Sequence, residues 1–562
     1  MSENPASTTS KLSRGTINRI LQPERTVDEI EATYPSRKLG GSAEVTRIAP
    51  SPTGFIHIGA MYAALISQRY ARQSGGVFYL RMEDTDRKRE VEGARGLIMR
   101  SLTTFGIDYD EGPVLPDGER GDYGPYIQSR RQHIYDAYTR QLLENGRAYP
   151  CFATPEEIEA IVAQQSAQKL RPGYYGSWAI WRDRPEADVV AALDAGKPFV
   201  IRYRSEGNVG IKRSVTDLVK GTKDLPENDN DIVIRKQDGL PTYHLAHVVD
   251  DHLMHTTTVI RADEWFTSCM LHIQLAESLG IAPFKYAHIA PIQKMDGSSR
   301  RKLSKRHDPE ASVDFYLQNG YPVEAVIDYM LNQGNAAFEE WRRANPSAPN
   351  TDFVFDLSKL PKNSGALLNM DKLDDISKDL LGTYTPERLY EAAVTWADTY
   401  DPDLAASLRQ DPAYTVRVFG IERDNNKRKD ISKLSELRET YGYFFDDLFA
   451  ATRTDDLEAT DIAKLQPADR SAIASAFLDQ YDATKTQDEW FEGLKAIGES
   501  LGFTPDMKAY RKDPEAFKGS VADVAMALRV ALTGRNRSPN LHELMLVMGE
   551  DRIRSRISRL VS

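Results

Sequence analysis

Two segments far apart in the chain combine residue types suited to handling phosphate. The first is Pro50-Ser-Pro-Thr-Gly-Phe-Ile-His-Ile-Gly59. Its prolines and glycines exclude regular structure, and Gly54 and Gly59 let backbone approach a ligand closely. A helix starting there would offer unpaired N–H groups and a positive dipole end to phosphate, with His57 able to hydrogen-bond a phosphate oxygen. The second is Asp296-Gly-Ser-Ser-Arg-Arg-Lys-Leu-Ser-Lys-Arg306, a Gly/Ser loop tipped with Lys302 and Lys305. Such a loop suits a clamp that neutralises charge on a transferring phosphoryl group. Taken singly, each has a plainer explanation: a stiffened turn and a solvated basic loop. A third group, His244, His247, His252 and His255 with Asp250 and Asp251, has metal-ligating types, and His247 and Asp251 share a helix face at i,i+4. Hydrogen-bonded structural roles are the preferred reading for these side chains.

The elements that must position these residues follow from the apolar pattern. Val45-Thr-Arg-Ile-Ala49 reads as a short buried strand. Ile58, Met61, Tyr62, Leu65, Ile66 and Tyr70 fall on one face of a helix that Gly75-Gly76 ends. Residues 77–83 read as a second strand, with Phe78, Leu80 and Met82 on one face and Tyr79, Arg81 and Glu83 on the other. Strand, turn, helix, strand opens a doubly wound α/β sheet, whose ligands collect at the carboxyl ends of the strands. From about Tyr149 to Asp238, Pro155, Pro172, Gly173, Gly176, Pro198 and Gly207 interrupt the alternation, as an inserted α+β domain would. The α/β pattern resumes with a helix from Tyr243 to His252, a strand from Thr257 to Arg261 and a helix from Trp265 to Leu279. Beyond about Asp314 it is helical to the end, interrupted by a polar linker from Arg342 to Asp352. The first forty or so residues are sparse in large apolar groups and read as a mobile extension; Glu24, Asp28, Glu29 and Glu31 speak against a transit peptide.

The 562 residues carry 72 Lys+Arg against 83 Asp+Glu, a formal net charge of −11. Length predicts roughly three to five domains. Two cysteines, Cys151 and Cys269, exclude a disulfide scaffold or a four-cysteine zinc site and suit a reducing compartment. No run approaches the about 20 apolar residues of a membrane span, so a cytoplasmic protein with no membrane partner is expected. The acidic balance argues only weakly against a polyanionic partner, because charge is unevenly spread: residues 294–306 hold +5, 416–438 hold +3 and 535–559 hold +3. A polyanion meets the local field, screened beyond about 8–10 Å.

Taken together, the two phosphate segments carry a resemblance. Arg47-Ile-Ala-Pro-Ser-Pro-Thr-Gly-Phe-Ile-His-Ile-Gly59 resembles the HIGH-type signature of class I aminoacyl-tRNA synthetases in its bacterial glutamyl form, and Lys302-Leu-Ser-Lys-Arg306 resembles the partner KMSKS signature. Arg81-Met-Glu-Asp-Thr-Asp86, Gly124-Pro-Tyr-Ile-Gln-Ser129, Pro241-Thr-Tyr-His-Leu-Ala246, Val248-Val-Asp-Asp-His252 and Arg261-Ala-Asp-Glu-Trp265 match in the same order. The resemblance implies a Rossmann-type catalytic domain in two halves (43–145 and 237–290) behind a flexible extension (1–42). It also implies an inserted acceptor-end domain (146–236), a KMSKS and helical stem-contact region (291–380) and a helical anticodon-binding domain (381–562). It implies that Arg47 and Arg261 clamp carboxylates of L-glutamate, Glu83 takes the α-ammonium group, and Ser51 and Tyr243 complete the pocket. His57 and Gly59 would hold ATP phosphates, Glu264 the ribose, and Lys302 and Lys305 the departing pyrophosphate, with Mg²⁺ sharing the charge.

In this reading the chain, as a monomer, activates glutamate with ATP and transfers it to tRNA(Glu), with tRNA(Gln) a second candidate acceptor. Arg423, Lys427 and Arg428 are candidate tRNA contacts. His247 stands where many relatives carry Asn. Some bacterial relatives hold zinc in the insert, but Cys151 has no second cysteine at ligand spacing, so no zinc is expected. Two rivals remain: a glutamyl transferase that modifies a tRNA base, disfavoured by the long region after about Leu380, and a degenerate tRNA-binding protein without catalysis, disfavoured by intact His57, Gly59, Lys302 and Lys305.

Overall fold

In the computed structural model of the chain, residues 11–304, 307–362, 365–423, 428–452 and 460–561 are described. They fall into two units, Met1–Phe315 with Met330–Leu368 and Tyr316–Tyr329 with Asn369–Ser562. At the centre of the first, strands Val45–Ile48 and Val77–Leu80 pair in parallel, with Val45 opposite Val77 and Ile48 opposite Leu80. Both faces of this pair are covered, which is why its residues are nearly all buried and not alternately so. The crossover is the helix Ile58–Gln73, which buries Ile58, Met61, Tyr62, Leu65 and Ile66 as the pattern requires. Gly75 follows it in the left-handed region at φ +69°, a conformation that a side chain would strain.

The Thr257 N–H donates to the Val45 carbonyl (3.0 Å), which brings strand Thr258–Ala262 alongside the first pair. That strand pairs in parallel with Lys285–Ile289. The hairpin Lys212–Asp217 and Gly221–Pro226 then joins through the bridge of Asp217 to Tyr286. This revises the sequence reading, which assigned the hairpin wholly to the insert: composition shows a break in pattern but not the sheet to which a strand returns. The remaining insert has a three-stranded antiparallel sheet, Ala148–Cys151, Val200–Tyr203 and Val233–Arg235.

The expectation of a flexible segment over 1–42 is corrected over its described residues. Helices Arg14–Ile20 and Val27–Glu31 start at Ser13 and at a Thr26/Glu29 capping box. Ile17, Ile20, Leu21, Ile30 and Tyr34 are buried in one cluster with Ile134, Tyr138 and Leu142 of helix Gln132–Glu144 and with Val189 and Ala192 of the insert helix Glu186–Asp194. Helices this short are not stable alone, so their order comes from docking, which local composition does not show. Arg37 seals the segment with a bidentate pair to Glu111 (2.6 and 2.8 Å). The polar linker 342–352 is likewise folded down: Arg69 Nη2 donates to Asn350 Oδ1 (2.6 Å), and Phe353 packs edge-on against Phe338.

The second unit is helical around a core that includes Leu389, Leu408, Phe419, Phe444, Ile473, Leu494, Val524, Leu528 and Ile557. One short parallel pair, Phe503–Thr504 with Gly519–Ser520, departs from the all-helical expectation. No helix among the described residues is long and apolar enough to cross a membrane.

Ile30 is fully buried beneath the amino-terminal helices. Ile30→Asp is expected to release them, so that limited proteolysis cuts within residues 11–40 of the variant while the parent resists. Equal resistance would show that this contact does not hold the segment down.

Candidate active site

The turn 50–59 leads straight into the helix Ile58–Gln73, whose N-cap is His57. His57 Nδ1 accepts the Gly59 N–H at 2.9 Å. A neutral imidazole with Nδ1 as acceptor carries its proton on Nε2, so the ring presents a donor suited to a phosphate oxygen. Gly59 therefore acts differently from the expectation: its N–H is engaged by His57, and its lack of a side chain keeps that ring in place, since a Cβ there would lie 3.2 Å from Nδ1. His57 also bridges to Ser312, beyond the second basic segment.

Arg47 and Glu83 sit on a buried ionic network built by helix Tyr243–Leu253. Arg47 Nε lies 3.2 Å from Asp251 Oδ1, and its Nη1 donates to the Ile260 carbonyl (3.1 Å). Arg81 reaches both Asp251 (2.7 Å) and Glu83 (3.0 Å). Asp250 accepts from Arg131 (2.7 Å), Gln128 (2.9 Å) and the Tyr135 hydroxyl (2.8 Å). Burial disfavours charge on Asp251, but Arg47 and Arg81 hold its carboxyl well below the usual carboxylate range. Glu83 differs: burial pushes its carboxyl up despite Arg81 and Arg47, so an ammonium group beside it would find a carboxylate with unspent affinity for a cation.

Arg261, on strand Thr258–Ala262, donates to the Tyr243 hydroxyl (3.2 Å) and to His288 Nε2 (2.9 Å), and its guanidinium lies 4.8 Å from the Tyr286 ring centre. Tyr243 stacks on His247 at 5.5 Å. His247 Nδ1 is 2.5 Å from Asp251 Oδ2, yet burial pushes the imidazole down to about 3, leaving it neutral. The four histidines thus separate by role. His244 contacts His272 (2.9 Å), His247 meets Asp251, and His252 and His255 meet Glu31 (3.1 Å) and the Tyr34 carbonyl (2.9 Å) of the amino-terminal segment.

A cavity of about 1220 Å³ opens at the carboxyl ends of the strands, and Arg47, Ser51, His57, Gly59, Glu83, Tyr243, Arg261, Glu264 and Lys302 all line it. Lys302 closes hairpin Gln293–Asp296 and Ser299–Lys302 and pairs with Glu264 at 2.6 Å, both groups more than half exposed. Lys305 and Lys427 lie outside the described residues. Arg423 and Arg428 are elsewhere, in the second unit, and brace its backbone: Arg423 donates to the Leu381 carbonyl (3.1 Å), and Arg428 donates to the Ile421 carbonyl (3.1 Å) and pairs with Asp430 (2.8 Å). The basic windows are thus partly neutralised by acids that folding brings to them, Asp308 to Arg301 and Asp446 to both Arg552 and Arg556. Cys151 is buried and donates to the Tyr174 hydroxyl (3.4 Å).

Sequence reasoning singled out Asp251 as a metal-ligating type and as part of an ordered motif, and missed its hold on Arg47 and Arg81. The i,i+4 spacing to His247 was the available signal. Asp217 and His288 gave no local signal, because they meet across 71 positions.

Comparison with known proteins bears directly on this site. The family described as "tRNA synthetases class I (E and Q), catalytic domain" matches residues 44–350, and "Anticodon binding domain" matches 427–561. A glutamate–tRNA ligase of Clostridium perfringens (strain 13 / Type A) is 47% identical over 525 residues, covering 93% of this chain and 96% of that protein. One of Sorangium cellulosum is 44% identical, covering 96% and 98%. The crystal structure of a glutamate tRNA ligase from Elizabethkingia meningosepticum, in complex with its amino acid, superposes with a TM-score of 0.72 at 26% identity, covering 92% of this chain and 99% of that one.

Removing one partner from a buried ion cluster leaves an uncompensated charge, at a cost of about 3–5 kcal/mol. Asp251→Ala, which strands Arg47 and Arg81, is expected to lose that much in urea denaturation; a loss under about 1 kcal/mol would contradict this account of the cluster.

Proposed function

Because the chain belongs to the class I glutamate–tRNA ligases, we propose that it runs that family's two-step reaction with the residues gathered in the cavity. The observation that carries this assignment is that Arg47 and Arg261, from separate strands, line one cavity with Glu83 and with Lys302, which sits 255 positions after Arg47. Two guanidinium forks match carboxylates, and together they favour an anionic side chain over a neutral amide. Glu83 receives the α-ammonium group, and Ser51 and Tyr243 close the pocket around the amino acid.

ATP, with its Mg²⁺ carried on the phosphates, enters over the 50–59 turn. His57 donates from Nε2 to a phosphate oxygen, Gly59 keeps that ring seated, and Glu264 takes the ribose. The glutamate α-carboxylate attacks the α-phosphate, forming glutamyl-adenylate and releasing pyrophosphate, whose charge Lys302 and Lys305 neutralise. A ribose hydroxyl of the terminal adenosine of tRNA then attacks the activated carbonyl and AMP leaves. No protein nucleophile is needed, so catalysis rests on positioning and charge stabilisation.

We assign acceptor-end binding to the insert around 146–236, less the hairpin that returns to the catalytic sheet, stem contact to 291–380, and anticodon-side contacts to 381–562, with Arg423, Lys427 and Arg428 as candidate tRNA contacts. Action as a monomer in the cytoplasm belongs to the same reading. The base-modifying rival is opposed by the match of an anticodon-binding family to 427–561.

Lys302→Ala is expected to reduce pyrophosphate exchange by about a hundredfold or more with little change in melting temperature, because the exposed pair with Glu264 contributes little stability. Unchanged exchange would remove Lys302 from the site. Charging of separately purified tRNA species with labelled glutamate is expected to show tRNA(Glu) as acceptor, and the tRNA(Gln) arm decides whether that species is a second one. Charging of neither would overturn the assignment.

A further inference from the structure

Behind Arg261 runs a chain of buried polar groups that none of the steps above uses. Asp217 Oδ1 accepts the N–H groups of Val219 and Lys220, both at 2.9 Å. Its Oδ2 lies 2.7 Å from His288 Nδ1 and accepts the His288 backbone N–H at 3.1 Å. His288 Nε2 in turn accepts from Arg261 Nε at 2.9 Å. On the far side, Arg261 Nη2 is 3.2 Å from His272 Nδ1, and His272 Nε2 is 2.9 Å from His244 Nδ1. Asp217, Arg261, His272 and His288 are all buried.

The donor inventory fixes every proton in this chain. Guanidinium only donates, so each imidazole nitrogen facing it is bare. His288 therefore carries its proton on Nδ1, given to Asp217, and His272 carries its proton on Nε2, given to His244. Burial holds all three imidazoles neutral, with His244 pushed down to about 4 and His272 and His288 also lowered. The contrast with Arg47 is informative. Arg47 touches the carboxylate of Asp251 directly, whereas the described hydrogen-bond partners of Arg261 are all neutral. The acid that this hydrogen-bond chain ends on, Asp217, is one imidazole away. It fixes the guanidinium through His288 without sitting on it, which leaves the charge of Arg261 for an incoming carboxylate.

We propose that Asp217 and His288 are positioning residues for glutamate: the tautomer that Asp217 imposes on His288 sets Arg261, and through it glutamate affinity and discrimination against glutamine. The proposal rests on reading Arg261 as a carboxylate-binding residue. It makes an unusual demand of a near-isosteric change. In Asp217→Asn the amide oxygen must stay on the Val219 and Lys220 N–H groups, so the NH₂ faces His288 Nδ1. The ring proton then moves to Nε2, where it opposes Arg261 Nε–H, and two donors confront each other.

The test is pyrophosphate exchange by the full-length enzyme, with glutamate and ATP varied separately. Asp217→Asn and His288→Leu are expected to raise KM for glutamate by about ten- to a hundredfold, the range for losing a hydrogen bond to a charged group, with KM for ATP little changed and the melting temperature lowered, since each leaves a buried polar group unpaired. His288→Gln, whose amide oxygen can accept from Arg261 Nε, is expected to recover most of the affinity. In selectively ¹⁵N-labelled histidine spectra, His288 should show bare Nε2 in the parent and bare Nδ1 in Asp217→Asn. Arg261→Lys separates the two levels: if it leaves KM for glutamate unchanged, the pocket reading itself fails. If it raises that KM while Asp217→Asn and His288→Leu do not, the relay is wrong. KM values for ATP and glutamate rising together would also overturn it, in favour of a purely structural role.

Discussion

The first unit is organised around two adjacent acids, Asp250 and Asp251, on a buried helix. They draw in Arg47 from the first strand, Arg81 from beyond the second, and Arg131 from the start of another helix. With Glu83 the cluster holds three arginines and three carboxylates, so it is formally neutral, as a fully buried set must be to avoid a large desolvation penalty. Neutrality makes each member depend on the rest and fixes the strands relative to the helix. Two of its members, Arg47 and Glu83, also face the cavity. The same electrostatic balance that holds the sheet together thus presents a cation and an anion to a zwitterionic amino acid.

The two sides of the cavity are built on different supports. Groups assigned to the amino acid stand on or beside strands and the buried helix, where packing locks them. Groups assigned to phosphate stand on the 50–59 turn and on a surface hairpin, and Lys302 there is more than half exposed. Recognition of a small substrate benefits from rigid placement.

Much of this was legible in the residues. The strand–turn–helix–strand opening and the helix at 243–252 follow from local pattern, and nine of the residues that the family resemblance named line one cavity. What was hidden depends on distant partners. Residues 14–34 have too few apolar groups to announce a core, and only their docking on helix Gln132–Glu144 orders them. The hairpin carrying Asp217 read as insert because its sheet partner lies some seventy residues on. The basic windows overstated their outward field, since Asp308 and Asp446 lie outside them in sequence and pair with their arginines. Gly59 looked like a phosphate ligand, and its N–H proved to be committed to His57.

The docked amino-terminal helices also bear on how the chain is made. Glu31 and Tyr34 find their partners His252 and His255 each 221 positions later. At a synthesis rate of about 5–20 residues per second, Glu31 and Tyr34 wait roughly 10–45 s before these partners exist. Ile17, Ile20 and Ile30 share their cluster with Ile134, Tyr138, Leu142, Val189 and Ala192, which are made well before those two histidines, so apolar cover is available ahead of the polar contacts. The segment is thus covered in two stages, an apolar one first and a polar latch to His252 and His255 afterwards.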